Sequence, residues 1–176
     1  TLDWIDSFED GSILWDIGSN IGLYSIYAAK NKCKTVFSFE PSVFNIELLT
    51  KNVVLNKLED KIIIIPIALN NNERINYLNM SNIERAGSMS SFSSEIGWDG
   101  NKINNIFKYK TLGTSIDFFR ENFGINYPDY IKIDVDGIEH LILKGGKETL
   151  KKTKSILVEV NDDYKEQKEN VEEFLK

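Results

Sequence analysis

The fold of this chain is decided by residues 14–25, which read Leu-Trp-Asp-Ile-Gly-Ser-Asn-Ile-Gly-Leu-Tyr-Ser. An apolar run reaches an acidic residue, a turn with two glycines follows, and a helical pattern begins after the turn. A buried strand that passes through such a turn into a helix is the first unit of an α/β sheet. The stretch therefore predicts a ligand crevice at the carboxyl end of this strand.

The spacing within this turn is Asp16-x-Gly18-x-Asn20-x-Gly22. It lacks the close glycine pair of Gly-x-Gly-x-x-Gly, which forms the pyrophosphate cradle of dinucleotide-binding proteins. The glycines allow the backbone to approach a ligand closely, and the Asn20 amide lies at the predicted helix start. An acid two positions before the first glycine suits a cationic group such as the amino group of S-adenosylmethionine (SAM). The alternative for Asp16 is that it only caps the turn.

Length and composition restrict the class of protein. The 176 residues predict one domain, 1–176, with a formal net charge of -6 and a pI near 4.9. An acidic surface of this kind argues against a nucleic-acid partner. The single cysteine, Cys33, excludes an intrachain disulfide and a multi-thiolate metal site. The longest apolar run, 62–69, is interrupted by Pro66 and is too short for a membrane span, which favours a cytoplasmic protein.

Apolar, β-branched runs alternate with helical patterns along the chain. The predicted strands are 13–17, 35–39, 62–67, 130–135 and 155–160, and the predicted helices are 2–8, 20–30, 42–56, 138–150 and 162–175. Near-continuous apolar strands are covered on both faces. The pattern predicts an α/β fold with a doubly wound, mostly parallel sheet and helices on both faces.

Two regions depart from this alternation. After the third strand come short extended pieces at 75–78 and 107–112, a helix at 115–123, and a Ser-, Gly- and Asn-rich stretch at 81–100 that predicts a mobile loop over the crevice. The chain also ends in a helical pattern, without the C-terminal antiparallel strand pair typical of such folds. We expect a trimmed or disordered C-terminus and an exposed fifth strand, which a second copy in a homodimer could cover.

Acidic residues recur where the predicted strands end. They are Asp16, Glu40, Asp134, Asp136 and Glu159, with Asn161 beside the last. Because ligands bind beyond the carboxyl ends of parallel strands, these side chains are expected on one rim. Glu40 lies 22 residues after Gly18, where an acid accepts ribose hydroxyls, or else it caps the helix near Ser42. Ala68 and Leu69 are predicted to line an apolar slot for adenine.

Three blocks of the chain resemble the FkbM-type SAM-dependent methyltransferases. They are residues 15–25, residues 36–42 with Asn45 and Asn52 beyond them, and residues 129–146 with Glu159 after the next strand; residues 114–117 match a short element before strand four. The resemblance implies a Rossmann-like class I methyltransferase and O-methylation of a sugar, glycan or natural-product hydroxyl. Ser19 and Pro41 lie in the matched blocks and join Asp16, Gly18, Asn20, Gly22, Glu40 and Ala68 as predicted cofactor-binding residues.

Methyl transfer to a hydroxyl needs alignment and a base for the hydroxyl proton. Asp134 is the first candidate, and its alternative role is to bind the helix N-terminus after Gly137. Asp136 and Glu159 complete the predicted catalytic set. The three acids could also hold a divalent cation, although a metal-free site is favoured.

Two positions depart from the family. Asp136 stands where Glu is common, and His140, the only histidine, replaces a residue that is usually apolar. A histidine with a near-neutral pKa is a candidate general base, but position 140 lies in a helix turn that could instead face the sheet or solvent.

Other functions stay open at this point. An NAD- or nucleotide-sugar-binding oxidoreductase is suggested only by a Tyr164-x-x-x-Lys168 pattern. A non-catalytic SAM-binding module would lack a working acceptor site. No motif in the sequence identifies the methyl acceptor. Ser88, Ser90 and Trp98 in the 81–100 stretch either contact a polar, ring-shaped substrate or are solvated.

Overall fold

A computed structural model describes residues 1–175. The strands in this range are β1 (Ser12–Ile17), β2 (Cys33–Phe39), β3 (Ile62–Ile65), β4 (Ala68–Leu69), β5 (Arg74–Met80), β6 (Ser90–Phe92), β7 (Phe107–Thr114), β8 (Tyr130–Ile133) and β9 (Ser155–Val158). The helices are α1 (Leu2–Asp6), α2 (Leu23–Asn31), α3 (Val43–Leu55), α4 (Ile116–Asn122), α5 (Glu139–Lys144), α6 (Lys147–Leu150) and α7 (Lys165–Phe174). None of these helices is long and apolar enough to cross a bilayer.

The main sheet has the strand order β3-β2-β1-β8-β9, and all of its strands are parallel. All six residues of β1 are buried, as a central strand requires. The chain runs outward from β1 through β2 and β3, then returns to the other side of β1 with β8. The order therefore reverses between β1 and β8, which is where ligands bind in open α/β sheets.

Helices cover both faces of this sheet, as the sequence predicts. Along β1, Leu14 packs with α1, α2 and α3, whereas Trp15 packs with α4 and with α5. Side chains alternate across a strand, so one apolar run supplies both hydrophobic cores. The doubly wound α/β class is confirmed.

A second sheet of four strands, in the order β4-β7-β5-β6, is inserted between β3 and β8. β5 is antiparallel to β6 and β7, and β4 is parallel to β7. Part of the 81–100 prediction is wrong, because β6 lies in that stretch and Ile96 forms a bridge with Lys102. β6 has only Phe92 as an apolar residue and owes its strand geometry to pairing with β5.

The helix predicted at 138–150 is divided into α5 and α6. The division falls at Gly145-Gly146, where the chain passes close to the end of β4. A Cβ on Gly145 would lie 2.4 Å from the carbonyl oxygen of Asn70. Only glycine allows this contact, so the helix ends where the two segments meet.

Candidate functional site

A cavity of about 360 Å³ lies at the carboxyl ends of β1, β2 and β8, at the point where the strand order reverses. Its volume is within the usual range for a small-molecule site. Eight residues predicted from the sequence line it: Gly18, Asn20, Glu40, Pro41, Ala68, Asp134, Asp136 and Glu159. Leu69 is also part of this wall. We call this cavity the crevice.

The turn after β1 forms the floor of the crevice. Gly18 has a φ of +77°, and a Cβ at this position would lie 1.8 Å from the carbonyl oxygen of Asp134. The amides of Gly18 and Ser19 both donate to the carbonyl oxygen of Phe39, at 3.0 and 3.1 Å. Ser19, which is buried, and Gly22, which packs against Leu49, are outside the lining. These two residues contribute to the shape of the turn on the side away from the crevice.

Asp16 lies outside the lining of the crevice. Its side chain is fully buried on the α2 side of the sheet and is absent from the lining of the crevice. The carboxylate accepts a hydrogen bond from Ser25 Oγ at 2.6 Å and lies 3.6 Å from Lys132 Nζ. The structure therefore places Asp16 behind the turn and outside the lining of the crevice, and its role as a ligand of the amino group stays a prediction.

Glu40 is a buried carboxylate in the wall of the crevice. It accepts the backbone amide of Asn20 at 2.9 Å and that of Ser42 at 2.8 Å. These bonds connect the β1–α2 turn to the start of α3. Burial raises the pKa of Glu40 to about 7, although the two backbone amides favour the ionised form.

Asn45 is a crevice residue to which the sequence analysis assigned no role. It is 3% exposed, and its Nδ2 donates to the carbonyl oxygen of Gly87 at 3.0 Å. The side-chain oxygens of Asn45 and Asn20 are both buried without a hydrogen-bond partner among residues 1–175. Unsatisfied buried acceptors of this kind fit a ligand that brings its own donors.

Asp134 and Glu159 form a carboxyl pair in the wall of the crevice. Burial opposes ionisation of Asp134, but the hydrogen bond from Glu159 and the Lys132 ammonium outweigh it and hold the pKa of Asp134 below its ordinary value. The same hydrogen bond, together with burial, raises the pKa of Glu159 to about 7. The pair therefore holds one proton at slightly acidic pH and releases it near neutrality.

Lys132 is a second residue that the sequence analysis missed. Its side chain is 4% exposed, and Nζ lies 2.8 Å from Asp134 and 3.6 Å from Asp16. A lysine inside the otherwise apolar run of β8 was the available signal, because a buried lysine almost always has a charged partner. It supplies the positive charge between the two aspartates.

Asp136 holds the segment that covers the crevice. Its Oδ2 accepts the backbone amides of Met89 at 2.7 Å and Ser90 at 3.3 Å. Burial raises the pKa of Asp136 above its ordinary value, with the two amides opposing the rise. One of its oxygens is thus committed to the backbone, and its assignment as a catalytic residue stays a prediction.

A second cavity of about 540 Å³ adjoins the crevice and shares Ser88, Asp136 and Glu159 with it. Trp98 lies in its wall, whereas Ser90 lines only the crevice. His140 lines neither cavity, and burial lowers its pKa. Within residues 1–175, no group of three or more His, Cys, Asp or Glu side chains is arranged to hold a metal ion, and the choice between a metal-free site and a divalent cation stays a prediction.

The chain is similar to known proteins in sequence and in fold. The model of the methyltransferase FkbM domain matches residues 16–176. Hexuronic acid methyltransferase AglP of Haloferax volcanii is 28% identical over 167 residues, which are 89% of this chain and 59% of that protein. The chain thus spans 59% of the length of this curated relative, which is less than two thirds.

Solved structures share the fold. Methyltransferase FkbM from Methylobacillus flagellatus has a TM-score of 0.59 at 18% identity, over 86% of this chain and 33% of that one. Precorrin-6y C5,15-methyltransferase from Geobacter metallireducens has a TM-score of 0.56 at 14% identity, over 98% and 68% of the two chains. At such identities the likeness establishes the fold alone.

Proposed function

The chain belongs to the FkbM methyltransferase family, and from this premise we propose that it transfers a methyl group from SAM to a hydroxyl oxygen of a sugar or glycan acceptor. The observation that carries the proposal is the Asp134–Glu159 carboxyl pair. Glu159 lies in the wall that the crevice shares with the adjoining cavity. A proton acceptor in this position serves a hydroxyl that reaches the crevice from the second cavity.

The crevice fits SAM in its chemistry. Glu40 would accept the ribose hydroxyls, Ala68 and Leu69 would pack on the adenine, and the free amide oxygens of Asn20 and Asn45 would accept amino protons. SAM supplies a methyl group on a positively charged sulfur, which an oxygen nucleophile attacks to leave S-adenosylhomocysteine (SAH). Asp16 and Lys132 support this wall from beneath without lining it.

The residues of the chain have two tasks in this reaction. The cavity walls hold the acceptor oxygen in line with the methyl group, and such alignment supplies much of the rate acceleration. Asp134, which is ionised and paired with Lys132, takes the hydroxyl proton and shares it with Glu159. Activity is then expected to rise with pH through about 7, where the pair loses its own proton.

The acceptor class is supported by the relative whose name specifies a hexuronic acid, which is a sugar. It is also supported by the second cavity, where polar side chains surround the exposed ring of Trp98. Concave sites with an aromatic wall and a few polar groups are suited to small ring-shaped ligands.

The test measures SAH release in the presence of a panel of simple glycosides. Asp134→Asn is expected to lower turnover about 100-fold or more, as loss of a general base does. Its dissociation constant for SAM should change less than threefold. Asp60→Asn removes a carboxylate from an exposed position and should match the parent. Full activity of Asp134→Asn would contradict the base assignment, and the absence of turnover with every glycoside would contradict the acceptor class.

A further inference from the structure

We propose that the second cavity is the acceptor site and that it selects a sugar without a carboxylate, either uncharged or amine-bearing. This inference rests on the proposed methyl transfer and specifies its substrate class. We call this site the acidic cavity, defined by the residues that give it its character: Trp98, Asp136, Glu139, Glu159, Asp162 and Asp163.

The position of the acidic cavity fits an acceptor. It meets the crevice along a common wall formed by Ser88, Asp136 and Glu159. Glu159 is hydrogen-bonded to Asp134, so a molecule in the acidic cavity lies beside the carboxyl pair. A hydroxyl that enters from this side reaches both the proton acceptor and the crevice.

The lining of the acidic cavity contains five carboxyl groups and no Lys, Arg or His. Not all five carry free charge. Burial raises the pKa of Glu139 and so opposes its ionisation, and Asp162 pairs with Lys168 at 2.6 Å. Glu159 holds a proton at slightly acidic pH.

Asp136 and Asp163 remain without a cationic partner. Asp136 is bonded only to backbone amides, and Asp163 is exposed and forms no ion pair within residues 1–175. The lining therefore carries a net negative charge even after its internal pairs are discounted.

Trp98 gives the acidic cavity a surface for a ring. Its side chain is 43% exposed, and its backbone carbonyl accepts a hydrogen bond from Asn161 Nδ2 at 3.2 Å. An exposed indole in a concave site offers an apolar face to a sugar ring, while the surrounding carboxylates accept its hydroxyl protons. The combination of an aromatic face with hydrogen-bond acceptors matches a neutral polyol or an ammonium-bearing sugar.

A carboxylate on the sugar would be repelled by this lining. A like charge a few ångströms from one or two incompletely screened carboxylates lowers affinity by about tenfold or more. On this basis the acceptor of this chain differs in charge from the hexuronic acid in the name of its relative.

The first experiment measures binding to the SAH-loaded chain at pH 7 and low salt. The ligands are the methyl glycosides of glucose, glucosamine and glucuronic acid. We expect the glucuronide to bind at least tenfold more weakly than the other two, with a gap that narrows in high salt. Equal or tighter binding of the glucuronide overturns the inference, and so does failure of all three sugars to bind while SAH binds. Failure of SAH itself to bind would instead contradict the proposed function.

A pair of charge-reversal variants places the selectivity in the acidic cavity. Asp163→Lys puts a cation in its lining, whereas Asp60→Lys makes the same change beyond α3, at the amino end of β3 and the opposite edge of the sheet. We expect Asp163→Lys to strengthen glucuronide binding at least threefold relative to Asp60→Lys. The same glucuronide affinity in both variants would show that the selectivity arises elsewhere and would overturn the assignment.

Discussion

Glu40 is the residue through which we expect the affinity for the cofactor to depend on pH. Its carboxyl is buried, its pKa is raised to about 7, and it faces the crevice beside Pro41. An ionised carboxylate accepts two hydroxyl protons in charge-assisted hydrogen bonds, whereas the protonated form accepts them more weakly. If Glu40 holds the ribose as proposed, we expect it to bind the ribose better on the alkaline side of neutrality.

We expect the dissociation constant for SAM to fall severalfold between pH 6 and pH 8, with a midpoint near 7. Calorimetric titration across this range provides the measurement. Glu40→Gln should bind weakly at every pH. A parent affinity that is flat across the range would mean that Glu40 does not contact the cofactor in its ionised form.

Lys132 is expected to act as a positioning residue through Asp134. Asp16, Asp134 and the ring of Tyr24 face its ammonium group, and it has no other charged partner within residues 1–175. Lys132→Met removes the cation that favours ionised Asp134, so the pKa of Asp134 should rise by about one unit or more. Carbon-13 NMR titration of the Asp134 carboxyl measures the change.

Lys132→Arg retains the charge and serves as the matched variant. It should keep the low pKa of Asp134 if the ammonium acts through its charge. If the pKa of Asp134 in Lys132→Met equals that in the parent, Lys132 only fills space between the sheet and α2.

At the scale of elements, the segment between β5 and β6 is a cover held by crevice residues. Asn20 and Asn45 donate to the carbonyl oxygen of Gly87, and Asp136 accepts the amides of Met89 and Ser90. Residues that line the crevice therefore also set the position of the cover.

Asp136→Gly tests this connection. Asp136 has a φ of 60°, which glycine adopts without strain, so the change removes the carboxylate and leaves the turn intact. We expect faster hydrogen exchange at the amides of Met89 and Ser90, with no change in β8. Unchanged protection of these two amides would mean that the cover is held by other contacts.

The sequence predicts the residues of the crevice better than those of the cover. The reason is that the sequence signals for the crevice are local. Glu40, Asp134 and Glu159 each follow directly after a strand that ends at Phe39, Ile133 and Val158, and all three reach the crevice. Asp16 lies one residue before the end of β1, so the alternation of the strand turns it towards α2 instead.

The parts that were missed depend on contacts between distant segments. β6 is three residues long and gains its geometry from β5, which no local pattern shows. The division between α5 and α6 had a local signal in Gly145-Gly146, but its cause is the close passage of Asn70. The charge of Lys132 and its near neighbour Asp134 were visible in the sequence, whereas its other partner, Asp16, comes from the adjacent strand β1.

For the whole molecule, buried acids make stability depend on pH in an unusual direction. Burial raises the pKa values of Glu40, Asp136 and Glu139, while the hydrogen bond with Asp134 does so for Glu159. A raised carboxyl pKa means that the folded chain binds the proton more tightly than the unfolded chain. The stabilisation is complete below the ordinary pKa of these groups and is lost as pH rises through the folded pKa. The net charge of -6 at pH 7 acts in the same direction.

We therefore expect the free energy of unfolding to fall as pH rises from about 4.5 to above 7, with Glu40 and Glu159, whose pKa values are both raised to about 7, as the main contributors. For the buried Glu40 carboxyl, a pKa shift from 4.5 to about 7 corresponds to about 3 kcal/mol in the free energy of unfolding.

Urea unfolding at pH 5 and pH 8 measures the difference in the free energy of unfolding. Glu40→Gln has no proton to lose and should reduce the slope, whatever its effect on absolute stability. A parent that is more stable at pH 8 than at pH 5 would show that exposed carboxylates with lowered pKa values, such as Glu47 and Glu73, outweigh the buried group. The pH dependence that the buried acids contribute to stability would then be smaller than that of the exposed carboxylates.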